Sequence, residues 1–107
     1  MKHSVILALL AVLGGCAGTV SGSVQGTGET FTGTVVAGMR HDGTVTITSN
    51  RGVTCEGTYL FAEERKGEGV FQCSDGRSGP FTFVSNGLSG LGSGNLDGRS
   101  FTFRFSA

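Results

Sequence analysis

The sequence predicts an all-β fold, an antiparallel meander of about seven short strands that curls into a small barrel, half-barrel or sandwich. From residue 31 onward, apolar and polar residues alternate with a period of two, as in GTVTITS and SFTFRF. This alternation is typical of strands with one buried face. Turn signals separate these runs, namely Asp42-Gly43, Asn50-Arg51-Gly52, Asp75-Gly76, Asn86-Gly87 and Asp97-Gly98.

The alternation places most of the large apolar side chains on one face of the sheet. Such a face must be covered by another layer. The charged stretch FAEERKGEG is too short and too glycine-bounded to form a covering helix. We therefore expect the sheet to curl over its own apolar face, with the following residues inside: Val45, Ile47, Val53, Cys55, Tyr59, Phe61, Phe71, Phe81, Phe83, Phe101, Phe103 and Phe105.

Two cysteines are predicted to join neighbouring strands. If residues 62–66 form a loop, the hairpin centres on Glu64 and places Cys55 opposite Cys73. Directly opposed strand residues lie close enough for a disulfide. The alternatives are two free buried thiols or a redox pair, although no C-x-x-C motif supports the latter. The same centre pairs Gly57 with Phe71 and Tyr59 with Gly69.

The glycine-rich segment GLSGLGSG is predicted to be a strand between two phenylalanine-rich strands. In that arrangement aromatic rings fill the space that the missing side chains leave. A phosphate-binding glycine loop would need a strand–loop–helix context that the sequence lacks. A hairpin centred on Asn86-Gly87 pairs Phe83 with Gly90 and Phe81 with Gly92. One centred on Asp97-Gly98 pairs Phe105 with Gly90, Phe103 with Gly92 and Phe101 with Gly94.

The N-terminus has the features of an export signal. Lys2 and His3 precede a short apolar stretch, residues 5–13, which is followed by Leu13-Gly14-Gly15-Cys16. This order resembles the lipobox of bacterial lipoproteins. The resemblance implies a signal helix in residues 1–15 that is cleaved before Cys16, and acylation of Cys16. An ordinary secretory signal with a chance cysteine is the alternative.

The lipobox resemblance also implies a location and a domain organisation. The protein would be anchored in the bacterial cell envelope, at the outer membrane and facing the periplasm, because Ala17 rather than Asp follows the cysteine. Residues 16–29 are rich in Gly and Ser and are predicted to be a flexible, lipidated tether. Residues 30–107 then form the β-domain.

A short internal repeat supports a hairpin architecture. DGRSGPFTF at Asp75 recurs as DGRSFTFRF at Asp97. Together with CEGTYLF and GEGVFQCSDGR, it gives residues 55–105 a weak resemblance to MORN hairpin repeats. Cys55 replaces the usual aromatic residue, and the spacing slips between residues 83 and 92. The resemblance implies a role in interaction rather than catalysis.

Composition and charge argue against several function classes. Formal net charge is zero with 15% charged residues, so the chain has no basic surface for nucleic acid. After the signal segment His41 is the single histidine, and Glu63 and Glu64 point apart in a loop. We therefore predict no catalytic residues, no metal site and no cofactor.

The remaining surface prediction concerns two arginines. Arg77 and Arg99 follow the two repeated Asp-Gly turns and are predicted to be solvated charges at the rim of the sheet. The alternative is that they form a small cationic patch at one end of the sheet that binds a lipid phosphate or a glycan. The sequence thus predicts a lipid-anchored, non-enzymatic interaction or structural module that contacts an envelope protein or a glycan. The alternatives are a carrier of a small apolar ligand in a Phe-lined barrel, and an envelope hydrolase.

Overall fold

A computed structural model describes residues 17–107 and shows a closed antiparallel barrel. Each strand pairs with the next one in the chain, and the first pairs with the last. Of the predicted architectures, the structure therefore has the closed barrel. The eight strands are β1 (Ala17–Val24), β2 (Thr30–Ala37), β3 (Asp42–Ser49), β4 (Thr54–Phe61), β5 (Lys66–Cys73), β6 (Ser78–Ser85), β7 (Ser89–Leu96) and β8 (Arg99–Ser106).

The first strand replaces most of the predicted tether. Residues 17–24 form β1, which hydrogen-bonds to both β2 and β8 and closes the barrel. The tether prediction is wrong for residues 17–24, because their high Gly and Ser content made the alternation of β1 hard to recognise. With β1, the predicted meander of about seven strands has eight. Val20 and Val24 point inward and are buried, whereas Thr19 and Ser21 are exposed. Cys16 and the predicted signal helix lie outside the described residues.

The barrel interior is the predicted apolar face. Of the twelve residues assigned to it from the sequence, nine are buried and three are partly buried. Val53, Phe61 and Phe105 are the partly buried ones. Four residues that the sequence left unassigned also belong to the core: Val20, Val24, Phe31 and Leu96.

Glycines opposite aromatic residues allow so many rings to fit inside a small barrel. Gly92 lies between Phe83 of β6 and Phe103 of β8. A Cβ atom added to Gly92 would overlap the ring of Phe103, which lies across the glycine. The same relation recurs around the barrel, and in each case the ring leans on the strand that precedes it in the chain: Tyr59 on Gly43, Phe71 on Gly57, Phe83 on Gly67, Phe81 on Gly69, Phe105 on Gly90 and Phe101 on Gly94.

The predicted strand register is confirmed for two hairpins and wrong for a third. The β4–β5 and β7–β8 pairs are confirmed at every predicted position. The β6–β7 pairs are wrong by two residues, since Phe83 lies opposite Gly92 and Phe81 opposite Gly94. The turn there is Gly87-Leu88, flanked by a hydrogen bond from the Asn86 N–H to the Ser89 carbonyl. Because the shift is even, every side chain keeps its predicted face.

One predicted turn also belongs to a strand. Asp42 and Gly43 begin β3, and the preceding residues 38–41 form the connection. His41, rather than a glycine, adopts the positive φ of 60° in this connection. Gly43 is needed in the strand because the ring of Tyr59 occupies the place of its side chain.

Candidate functional site

The two ends of the barrel differ in structure. One end, here called the mouth, is formed by the start of β1, the end of β8 and the loops 38–41, 62–65 and 86–88. The other, called the closed end, carries the loops 25–29, 50–53, 74–77 and 97–98. An apolar cavity opens at the mouth, and an ion pair lies under the core at the closed end.

The mouth cavity has a volume of about 210 Å³. An engineered apolar cavity of about 150 Å³ in another protein stays dry and binds benzene, so this cavity has room for a small apolar molecule. Its walls come from inward-facing residues of most strands. The lining includes the side chains of Val35, Phe61, Phe83, Leu88 and Phe105.

Four aromatic rings, here called the mouth cluster, shape the cavity wall: Tyr59, Phe61, Phe83 and Phe105. Phe83 lies edge-to-face with each of the other three, at centroid distances of 5.2 Å to Tyr59 and 5.4 Å to both phenylalanines. Such perpendicular pairs contribute about 0.5–1.5 kcal/mol each beyond area burial. The cluster is therefore held in place while Phe61 and Phe105 remain partly open to the mouth.

The cavity offers few polar groups. The Oγ of Ser85 already accepts a hydrogen bond from the Gly87 N–H at 3.1 Å. The Tyr59 hydroxyl lies over Gly43, and burial raises its pKa above the usual range, with the negative charge of Asp42 adding to the shift. Tyr59 thus stays protonated at physiological pH and can donate one hydrogen bond. This environment suits a neutral, mainly apolar ligand.

The closed end is sealed by a buried carboxylate. Glu29 is 1% exposed and accepts two hydrogen bonds from the Arg77 guanidinium, at 2.8 and 2.9 Å. Arg77 also donates to Asp75 at 2.7 Å. This bidentate contact holds the pKa of Glu29 below its usual range, against the opposing effect of burial.

The two arginines of the repeat lie at the closed end in different surroundings. Arg77 forms salt bridges with the carboxylates of Glu29 and Asp75, and its side chain is about three-quarters buried. Arg99 is exposed on the same end, next to the β1–β2 loop. The repeat gave both arginines equivalent sequence positions. It could not reveal that Glu29, 48 residues before Arg77, supplies a buried partner to only one of them.

Side chains fasten the closed-end loops to each other. Arg51 donates to the Thr27 carbonyl at 2.6 Å, and Asn50 donates to the Gly28 carbonyl at 3.2 Å. The Cys55–Cys73 disulfide, with an S–S length of 2.03 Å, joins β4 to β5 at the same end. The predicted pairing is confirmed, and it stiffens the end opposite the cavity.

Three further features bear on the site: the predicted lipidation residue, metal-binding groups and membrane-spanning helices. Cys16 lies outside the described residues, although it is bonded to Ala17, which lines the mouth cavity. Within residues 17–107, three or more His, Cys, Asp or Glu side chains do not converge into a group that could hold a metal ion. Across the same residues, the structure contains no helix with the length and apolar character to cross a bilayer.

Comparisons with known proteins give structural neighbours only. No family model and no curated protein matches the chain. A redesigned β-barrel, mFAP1, bound to DFHBI is similar over 91% of this chain and 97% of its own, with a TM-score of 0.71 and 13% identity. A de novo designed fluorescence-activating β-barrel is similar over 86% of this chain and 91% of its own, with a TM-score of 0.66 and 18% identity.

A third similar structure is EF1p2_mFAP2b bound to DFHBI, which covers 90% of this chain and 94% of its own at a TM-score of 0.69 and 11% identity. At these identities the similarity shows a shared barrel fold. The chemistry of the site depends on the residues of this chain.

Proposed function

We propose that this protein binds a small, neutral, apolar molecule in the mouth cavity of a barrel anchored in the bacterial cell envelope. The observation that carries the proposal is the asymmetry of the interior. Rings and a sealed ion pair fill the closed end, whereas about 210 Å³ remains open at the mouth. A barrel used only as a structural spacer would gain stability by filling that space.

The structural neighbours support a ligand-binding role over an interaction module. Two of them are described as bound to DFHBI, so barrels of this fold can hold an organic molecule. In this chain the rings of the mouth cluster offer edges and faces to a flat or chain-like ligand. The protonated Tyr59 hydroxyl would orient it. These features require no catalytic group, so the proposal is for a carrier rather than an enzyme.

The anchor belongs to the same proposal. Cys16 in the lipobox-like segment would carry the acyl chains, and at least two such chains give stable membrane attachment. Replacing Cys16 by Ser would then release the protein from membranes and remove the lipid mass. Retention of the Cys16→Ser protein in membranes, with no lipid on the wild type, would contradict this part of the proposal.

A fluorescent apolar probe tests the cavity. Titration with N-phenyl-1-naphthylamine is expected to give saturable binding to one site with increased emission. Val35→Trp should abolish it, because Val35 lines the cavity and a large side chain there fills the space. Val36→Trp is the matched control, since Val36 is the next residue on β2 and points outward at 40% exposure.

The comparison separates cavity binding from surface adsorption. If the two variants bind the probe equally, the cavity is not the site and the proposal is wrong. Both variants must retain the melting temperature of the wild type within a few degrees, so that loss of binding reports the cavity. DFHBI, the compound bound by the similar barrels, serves as a second probe.

A further inference from the structure

We propose that the mouth of the barrel rests on a lipid bilayer, through a rim of exposed apolar side chains that is separate from the acyl anchor. The rim consists of Met39 and Leu88 in the mouth loops and four outward-facing residues near the mouth: Val36, Leu60, Val84 and Leu91. This proposal rests on the proposed function and extends it, because an apolar ligand would enter the cavity directly from a bilayer that touches the mouth.

The exposed apolar side chains are concentrated at one end. Met39 is 101% exposed and Leu88 is 76% exposed. Among residues 17–107, Val70 in the middle of β5 is the one large exposed hydrophobic outside the rim, and the closed-end loops carry none. Apolar groups gathered at one end of a small protein mark a contact surface.

Strand pairing makes part of the rim continuous. Val84 and Leu91 are directly paired across β6 and β7 on the outer face. Leu60 occupies the last outward position of β4, next to the mouth loop 62–65. Leu88 lies in the loop above them and also lines the cavity, so the rim and the cavity wall share a side chain.

The position where the preceding chain attaches selects a bilayer as the occupant. Ala17 lines the mouth cavity and is bonded to Cys16. The sixteen residues before it include the apolar stretch 5–13. Because β1 begins at Ala17, directly after Cys16, membrane attachment through Cys16 would place the mouth, rather than the closed end, against the lipid.

The charge of the mouth favours apolar rather than electrostatic contact. Arg40, Arg65 and Lys66 are balanced by Asp42, Glu63 and Glu64 in the same loops and strand ends. Such a balance gives little attraction to an anionic surface. Contact would therefore depend on burial of Met39 and Leu88 at the headgroup boundary, as for other interfacial anchors.

A tryptophan introduced into this tryptophan-free chain tests the contact. Met39→Trp reports the mouth, and Gln25→Trp, an exposed position in the β1–β2 loop, reports the closed end. The full protein is purified from membranes in detergent and reconstituted into neutral phosphatidylcholine vesicles, with or without bromine on the acyl chains. Because tryptophan itself favours interfaces, the two variants carry the same intrinsic preference.

The expected result for Met39→Trp is a shift of the tryptophan emission to shorter wavelength and its quenching by the brominated chains. The Gln25→Trp protein should show neither. Equal quenching in both variants, or none in either, would overturn the rim proposal. A change in Met39→Trp that appears in native envelopes but not in pure lipid vesicles would also overturn it, in favour of a protein partner. Probe binding in solution does not depend on vesicles, so failure of the cavity proposal is seen separately.

Discussion

Gly92→Val tests how the barrel accommodates its rings. Gly92 lies between Phe83 and Phe103 in the sheet, and a Cβ there would overlap Phe103, with ring carbons Cε1 and Cε2 at 2.6 and 2.7 Å. Its φ is not positive, so the substitution acts through crowding rather than through backbone strain. The ring would have to leave its rotamer or push β8 outward.

The expected destabilisation is about 2 kcal/mol. Overpacking costs about 1–3 kcal/mol, and Val takes the upper part of that range because its γ-carbons add to the overlap. Replacing glycine in a strand returns about 0.5–1 kcal/mol, since the unfolded chain becomes less flexible. For a domain of this size, about 2 kcal/mol corresponds to a decrease in melting temperature of about 8–16 °C.

Thermal and urea unfolding, followed by circular dichroism, measure this loss. Ser93→Val is the matched control, because Ser93 is the next residue on β7 and is exposed. Its effect should stay within about 0.5 kcal/mol. Equal stabilities of the two variants would refute the conclusion that the rings need the glycine positions empty.

Three further predictions concern the closed end. Arg77→Met should destabilise the barrel by about 3 kcal/mol, because it leaves a buried carboxylate unpaired. The control Arg99→Met should change the free energy of unfolding little. Equal effects of the two variants in chemical unfolding would contradict the assigned ion pair. Since the folded pKa of Glu29 lies below the ordinary value of 4.5, its contribution is present above about pH 4.5 and is lost as pH falls through the folded pKa. The melting temperature of Glu29→Gln should therefore fall less steeply on acidification than that of the wild type. Identical slopes would contradict a stabilising contribution from the ionised Glu29 carboxylate. Replacing Cys55 and Cys73 by Ala, which opens a loop of 18 residues, should cost about 3 kcal/mol of stability. Peptide mapping without reductant checks the bond itself, and free alkylatable thiols in the protein isolated without reductant would disprove it.

The sequence predicts the barrel well where local signals determine the pairing. The loop predicted to centre on Glu64 and the Asp97-Gly98 turn each fix a register that the structure confirms. In the Asp97-Gly98 turn both central residues have positive φ, at 49° and 87°, as a two-residue hairpin turn requires. The register predicted from Asn86-Gly87 is wrong because the two central residues of this turn are Gly87 and Leu88. Of Asn86 and Gly87 only Gly87 has a positive φ, and it occupies the first central position.

The missed features depend on contacts distant in the chain. β1 contributes only two large inward side chains, Val20 and Val24, so its alternation is too weak to distinguish from a Gly/Ser linker. The partner of Arg77 is Glu29, and nothing in the spacing of the two residues joins them. Nor does alternation predict which end of a barrel is filled. That depends on the large residues at each end, and here Leu96, Phe31 and the ion pair fill one end only.

The most direct test of the account is to locate a bound apolar ligand by NMR. Naphthalene, or the probe that binds best, is titrated into the isotope-labelled protein. If the ligand occupies the mouth cavity, the largest shifts, and contacts to the ligand protons, appear at Phe61, Phe83 and Phe105, whereas Phe71 and Phe101 stay unchanged. Contacts confined to the outer face, at Leu60, Val84 and Leu91, would contradict the proposal that the barrel interior is the binding site.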